Sequence, residues 1–135
     1  MSDTPSEETG KKLKILVIED DTLTRTTLCN ILNKLDFTTY GACNGFMGMK
    51  LFNQFRPDLV VTDLLMPDKE GLTTIAEIRA FDPHVKIIAM SSGGSMRNMG
   101  FLDVARKIGA NGTLSKPFTP RQILELMNNL QAEGI

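Results

Sequence analysis

The chain has 135 residues, 41% of them hydrophobic and 23% charged, with a formal net charge of −1. That is enough for one domain with its own core and too apolar for a disordered chain. It is also too close to neutral to give nucleic acid or a membrane surface an electrostatic reason to bind.

No apolar run approaches the roughly 20 residues that span a bilayer. The opening stretch, Met1 to Lys12, is polar, carries Glu7 and Glu8 and lacks an apolar signal segment, which argues against secretion. Residues 1 to 11 are expected to form a flexible tail ahead of a single domain over 12–135. Cys29 and Cys43 do not have the spacing of a close metal-ligand pair. They read as buried, reduced thiols in a reducing cytoplasm rather than a disulfide or zinc site.

From Leu13 onward, apolar runs alternate with helical patterns. The first strand is expected at Leu13 to Ile18, apolar throughout as a strand buried on both faces should be. A helix follows over Leu23 to Lys34, with Thr22 as its N-cap and Leu28, Ile31, Leu32 and Leu35 on one face. The second strand, Phe37 to Gly41, is more polar and is expected at an edge. The second helix spans Gly45 to Phe55, with Phe46, Met49, Phe52 and Phe55 inward, and ends at Arg56-Pro57. Leu59 to Thr62 is the third strand, Asp63 to Gly71 a loop, and Leu72 to Phe81 the third helix, with Ile75 and Ile78 inward. Val85 to Met90 is the fourth strand and Ser91 to Ser95 a loop containing Gly93-Gly94. A fourth helix runs from Met99 to Ile108 and stops at Gly109. Gly112 to Ser115 is the fifth strand. Thr119 caps the last helix, with Pro120 at its first position and Ile123, Leu124, Leu126, Met127 and Leu130 on its apolar face.

This alternation predicts an α/β fold, a doubly wound (βα)5 parallel sheet with helices on both faces. The flavodoxin-like order 2-1-3-4-5 is one common solution, and it makes the first and third strands neighbours.

Four strands then end on one edge, at Glu19-Asp20-Asp21, at Asp63, at Ser91-Ser92 and at Lys116-Pro117. In open α/β sheets that carboxyl edge is where ligands bind. Taken singly, these residues have ordinary uses: a solvated acidic turn, a helix cap at Ser91, a surface lysine before a proline. Together they put several acids, a hydroxyl and an amine in one place. Clustered carboxylates repel one another and call for a cation, and oxygen ligands with room for water suit Mg²⁺. Phosphoryl transfer needs in-line positioning and charge neutralisation, and a carboxylate is able to act as the nucleophile.

At the level of motifs the chain resembles the receiver domain of two-component response regulators. Ile-Leu-Val-Ile-Glu-Asp-Asp at 15–21, Pro-Asp-Leu-Val-Val-Thr-Asp-Leu-Leu-Met-Pro at 57–67 and Ser-Lys-Pro-Phe at 115–118 carry the likeness, which extends over about residues 13 to 131. The resemblance implies that Asp63 is the phospho-acceptor. It makes Asp20 a direct Mg²⁺ ligand, Glu19 a ligand through water and the Leu65 backbone carbonyl a further ligand. Ser91 becomes the switch hydroxyl and Lys116 the lysine that contacts the phosphoryl group. Asp21 lies one place past the usual acid pair and is given a minor role. The implied donor is a histidine kinase or a histidine phosphotransfer protein, and the output a change in protein–protein contacts. A phosphorylation-dependent homodimer is left open.

Two features depart from the pattern. Thr113 stands on the fifth strand where receivers often carry an aromatic ring, so a ring rotation cannot be the output switch. Leu65 and Gly93 occupy the positions that tune attack by water. Neither side chain can orient a water, which implies a long-lived phosphorylated form. With Leu65 two places after Asp63, the second Asp expected of an aspartate-nucleophile phosphatase is missing. A nucleotide-binding module is disfavoured because the sequence has no Gly-x-Gly-x-x-Gly after the first strand and no Gly-Lys-Ser/Thr loop. A degenerate receiver scaffold would not need Glu19, Asp20, Asp63 and Lys116. The short stretch after the last helix, Gln131 to Ile135, suggests a stand-alone regulator, the alternative being a receiver belonging to a longer protein. His84 reads as a surface residue.

Overall fold

In the computed structural model, five parallel strands form one sheet in the order β2-β1-β3-β4-β5. The structure describes residues 12–64, 71–92 and 103–133. The strands are β1 (Lys14–Ile18), β2 (Thr38–Ala42), β3 (Leu59–Asp63), β4 (Lys86–Ser92) and β5 (Gly112–Lys116). The helices are α1 (Thr22–Lys34), α2 (Gly45–Phe55), α3 (Gly71–Phe81), α4, described over 103–108, and α5 (Pro120–Ala132). β2 is an edge strand, as its polarity predicts. The expected tail (1–11), Leu65 and Gly93 lie outside the described residues.

Alternation along the strands divides the core in two. On one face Leu16, Ile18, Val60, Ile87 and Ala89 pack with Phe52 of α2, Ile75 and Ile78 of α3 and Ala105 of α4. On the other, Ile15, Val17, Val61, Ile88, Met90 and Leu114 pack with Leu28 and Leu32 of α1 and Ile123, Met127 and Leu130 of α5. Burial of both faces is what makes the central strands continuous apolar runs.

Several expectations are corrected. The N-cap of α1 is Asp21, not Thr22: Asp21 has extended backbone and accepts from the Thr24 amide at 2.8 Å. α2 is turned relative to expectation. Phe46 is 62% exposed, while Gly45, Gly48 and Phe52 are buried. The cause is close approach: a Cβ on Gly48 would stand 2.5 Å from Ile18 Cδ1, so the helix puts Gly48, not Phe46, against β1. Phe55 instead stacks on Tyr40 of the edge strand, ring centroids 4.1 Å apart. Leu124 of α5 is 42% exposed. Cys43 is exposed and Cys29 half-buried, both as free thiols. β4 runs on through Ser91 and Ser92, and β5 takes in Lys116, because the two strands pair as far as Ser92↔Lys116. No described helix is long and apolar enough to cross a membrane.

Candidate functional site at the carboxyl edge of the sheet

Pairing of β1 with β3 matches Ile18 with Thr62, so the residues that follow, Glu19 and Asp63, emerge side by side. Each lies two places beyond a member of the α1/α5 core, Val17 and Val61, and Lys116 lies two beyond Leu114. The period of two therefore sends all three side chains to the same side of the sheet edge. Glu19, Asp20 and Asp63 each offer a carboxylate oxygen, all within 4.8 Å of one another. Glu19 and Asp63 are buried and Asp20 is exposed.

Lys116 bridges two of these acids. Its Nζ donates to Glu19 Oε1 at 2.7 Å and to Asp63 Oδ2 at 3.3 Å. The other Glu19 oxygen accepts from the Asp21 amide at 3.0 Å. Burial pushes the Glu19 carboxyl above its ordinary range, against the hydrogen bond from Lys116. Burial likewise raises Asp63, with the positive charge and hydrogen bond of Lys116 pulling the other way and the Asp20 charge adding to the rise. For Lys116, burial works against the charged amine, but the Glu19 hydrogen bond and the Asp63 charge outweigh it and hold the amine above its usual value. One amine thus holds two of the three clustered carboxylates, and the cluster is still short of positive charge.

Ser91 follows Met90, the residue paired with Asp63. It is 2% exposed and its hydroxyl has no hydrogen-bond partner. A buried hydroxyl left unpaired costs about 1–3 kcal/mol, so the site has unused capacity for a polar ligand. Thr113, at the non-aromatic position, is half-buried and accepts from Arg106 at 3.4 Å.

Three supporting residues were not anticipated. Asp21 caps α1 through the Thr24 amide and hydroxyl, which hold its carboxyl below the usual range. The Asp-x-x-Thr spacing could have signalled that role. Gly71 opens α3 against the end of β3. Its amide donates to the Leu64 carbonyl at 3.0 Å, and a Cβ there would overlap the Asp63 carbonyl oxygen. Arg25 donates to the Glu19 carbonyl at 2.7 Å, a contact with no signal in the local pattern.

The sequence matches the profile of the response regulator receiver domain over residues 15–128. The chain belongs to the response regulator receiver family. This receiver domain is 35% identical over 116 residues to the chemotaxis protein CheY of Listeria monocytogenes, covering 85% of this chain and 95% of that one. It is 28% identical over 105 residues to the sporulation initiation phosphotransferase F of Bacillus subtilis, covering 78% and 82%. The solved structure of a response regulator receiver domain protein from Clostridium thermocellum superposes with a TM-score of 0.79 at 28% identity, covering 87% and 92% of the two chains. The receiver domain is thus a signalling module of the two-component phosphorelay type, which disfavours the phosphatase alternative. Receiver domains are regulatory, and this one carries a three-carboxylate group compatible with a divalent cation.

Proposed function

We propose that this receiver domain accepts a phosphoryl group on Asp63 from a histidine kinase or histidine phosphotransfer protein. The observation that carries the reading is the Lys116 amine, held between Glu19 and Asp63, with a buried, unpartnered Ser91 hydroxyl one place past Met90, the strand partner of Asp63. In the transfer, an Asp63 carboxylate oxygen forms a bond to phosphorus as the donor's P–N bond breaks, and the leaving imidazole takes up a proton. Lys116 favours the ionised, nucleophilic form of Asp63. It then shifts its grip to an oxygen of the new phosphoryl group, and Ser91 donates its free hydroxyl to another.

The donor set fits Mg²⁺: hard oxygens, two acids beside the acceptor, and a net negative charge that one lysine does not cancel. Asp20 and Asp63 would hold the ion directly, Glu19 through water, and the Leu65 carbonyl would complete the set. The bound ion supplies neutralisation of charge on the phosphoryl oxygens. In this reading the domain catalyses only its own phosphorylation and the slow loss of the group. Leu65 and Gly93, unable to orient a water, keep the phosphorylated state long-lived.

The reading is tested by the intact mass of the chain after incubation with acetyl phosphate. A gain of one phosphoryl group that requires Mg²⁺ and is absent from Asp63→Asn is expected. Equal labelling of wild type and Asp63→Asn would contradict it.

A further inference from the structure

Two of the three clustered acids, Glu19 and Asp20, stand on the short turn between β1 and α1. Sheet pairing holds this turn only at its start, where the Glu19 amide donates to the Ala42 carbonyl at 2.9 Å. The chain then leaves the sheet, and the Glu19 carbonyl is taken by a side chain: Arg25 Nη1 donates to it at 2.7 Å. Arg25 is itself fixed in the first turns of α1, its amide bonded to the Asp21 carbonyl at 2.9 Å. Its half-buried stem lies across β2 at Gly41, where a Cβ would be 3.3 Å from Arg25 Cδ.

The pinned carbonyl belongs to the peptide between Glu19 and Asp20. That unit is planar, so a guanidinium holding its oxygen fixes the direction in which the Asp20 Cα is carried. The other tethers of the turn act elsewhere. The Asp21 amide holds the Glu19 side chain, and Asp21 caps α1. Among the described residues no hydrogen bond holds the exposed Asp20 carboxylate itself, so its aim at Asp63 comes from the backbone beneath it.

The geometry points to Arg25 as a positioning residue for the divalent-cation site. By holding the Glu19 carbonyl it orients the Glu19–Asp20 peptide and brings the Asp20 carboxylate toward Asp63. The inference rests on the Mg²⁺ reading above. Its sign is diagnostic, because a positive charge acting only through its field would repel a dication, and its removal would tighten binding.

The test is the Mg²⁺ dissociation constant of the unphosphorylated full chain by titration calorimetry, with the melting temperature in EDTA as the structural control. Arg25→Met is expected to weaken binding about tenfold or more, the usual effect of losing a residue that orients a metal ligand. Gly41→Val keeps the guanidinium but displaces its stem. It is expected to weaken binding in the same direction while the EDTA melting temperature holds, since a β-branched residue suits a strand. Unchanged or tighter binding in Arg25→Met overturns the inference, and so does unchanged binding in Gly41→Val should Arg25→Met fail to fold. A wild type that binds Mg²⁺ and loses it in Asp20→Asn sustains the underlying reading independently. A wild type that does not bind Mg²⁺ overturns that reading, and the inference with it.

Discussion

The amine of Lys116 donates to Glu19 Oε1 at 2.7 Å, joining residues 97 positions apart in the chain. The Glu19 side chain is 1% exposed and that of Lys116 20%, so this pair lies largely out of water. The longer contact of the same amine, 3.3 Å to Asp63, is the weaker one. The lysine therefore rests mainly on Glu19, and its hold on Asp63, the proposed acceptor, is the easier of the two to exchange for a phosphoryl oxygen.

Removing that amine leaves two buried carboxylates facing each other. Breaking a buried pair by deleting one partner costs about 3–5 kcal/mol, and protonation of an acid relieves part of it. Lys116→Met is expected to lower stability by roughly 2–3 kcal/mol, read from the urea midpoint at neutral pH. Added Mg²⁺ should recover part of the loss. A variant as stable as wild type in EDTA would contradict the bridging role.

The carboxyl shifts fix the sign of a pH dependence. Burial raises Asp63 and Glu19 above their ordinary values of 3.8 and 4.5. Between those values and the raised ones, the folded chain holds protons the unfolded chain has released. Stability therefore falls as pH rises through that window. Lys116, raised above 10.5, contributes stability that is present below 10.5 and lost as pH climbs through its folded value. Asp63→Asn should thus be more stable than wild type at pH 7, by about 1–3 kcal/mol, with the gap closing as the pH falls toward 4. Parallel urea midpoints for the two proteins across that range check it; a gap that widens toward low pH would contradict the direction.

Gly71 sits against the backbone of Asp63. A Cβ there would overlap the Asp63 carbonyl oxygen and lie 2.7 Å from Leu64 Cα, and backbone cannot swing aside as a side-chain tip can. Gly71→Ala is expected to cost about 1–3 kcal/mol and to slow phosphorylation of Asp63 by acetyl phosphate. Unchanged stability with an unchanged rate would show that α3 opens without disturbing β3.

In the proposed reading, the hydrocarbon side chain of Leu65, two places after Asp63, would offer no hydrogen bond to a water approaching the phosphoryl group. Leu65→Asn supplies one and is expected to speed loss of the group, followed by intact mass after removal of the phosphodonor. Wild type should keep the group for minutes to hours, and loss within seconds at neutral pH with Mg²⁺ would contradict the account.

The sheet and its edge were legible because their causes are local and periodic. Runs such as Leu16-Val17-Ile18 mark central strands, and the polar residue after each run marks the edge where the site forms. The strand order then brought Asp63 beside Glu19 and Asp20. Legibility failed where small residues set the geometry. In α2, large apolar residues pointed to Phe46, but Gly48 lets the helix lie so close to Ile18 that Phe46 is turned outward. Gly71 likewise lets α3 start hard against the Asp63 backbone. A pattern of hydrophobic residues cannot register a contact made by the absence of a side chain. Arg25 was missed for another reason: its partner is a main-chain carbonyl, which no residue type betrays.

The claim on which the account turns is an acyl phosphate at Asp63. Borohydride reduction of the chain after Mg²⁺-dependent phosphorylation, followed by peptide mapping, tests it most directly. The predicted result is conversion of residue 63 alone to homoserine, dependent on both phosphodonor and Mg²⁺. Conversion at another acid, or none with either acetyl phosphate or a phosphorylated histidine kinase as donor, would contradict it.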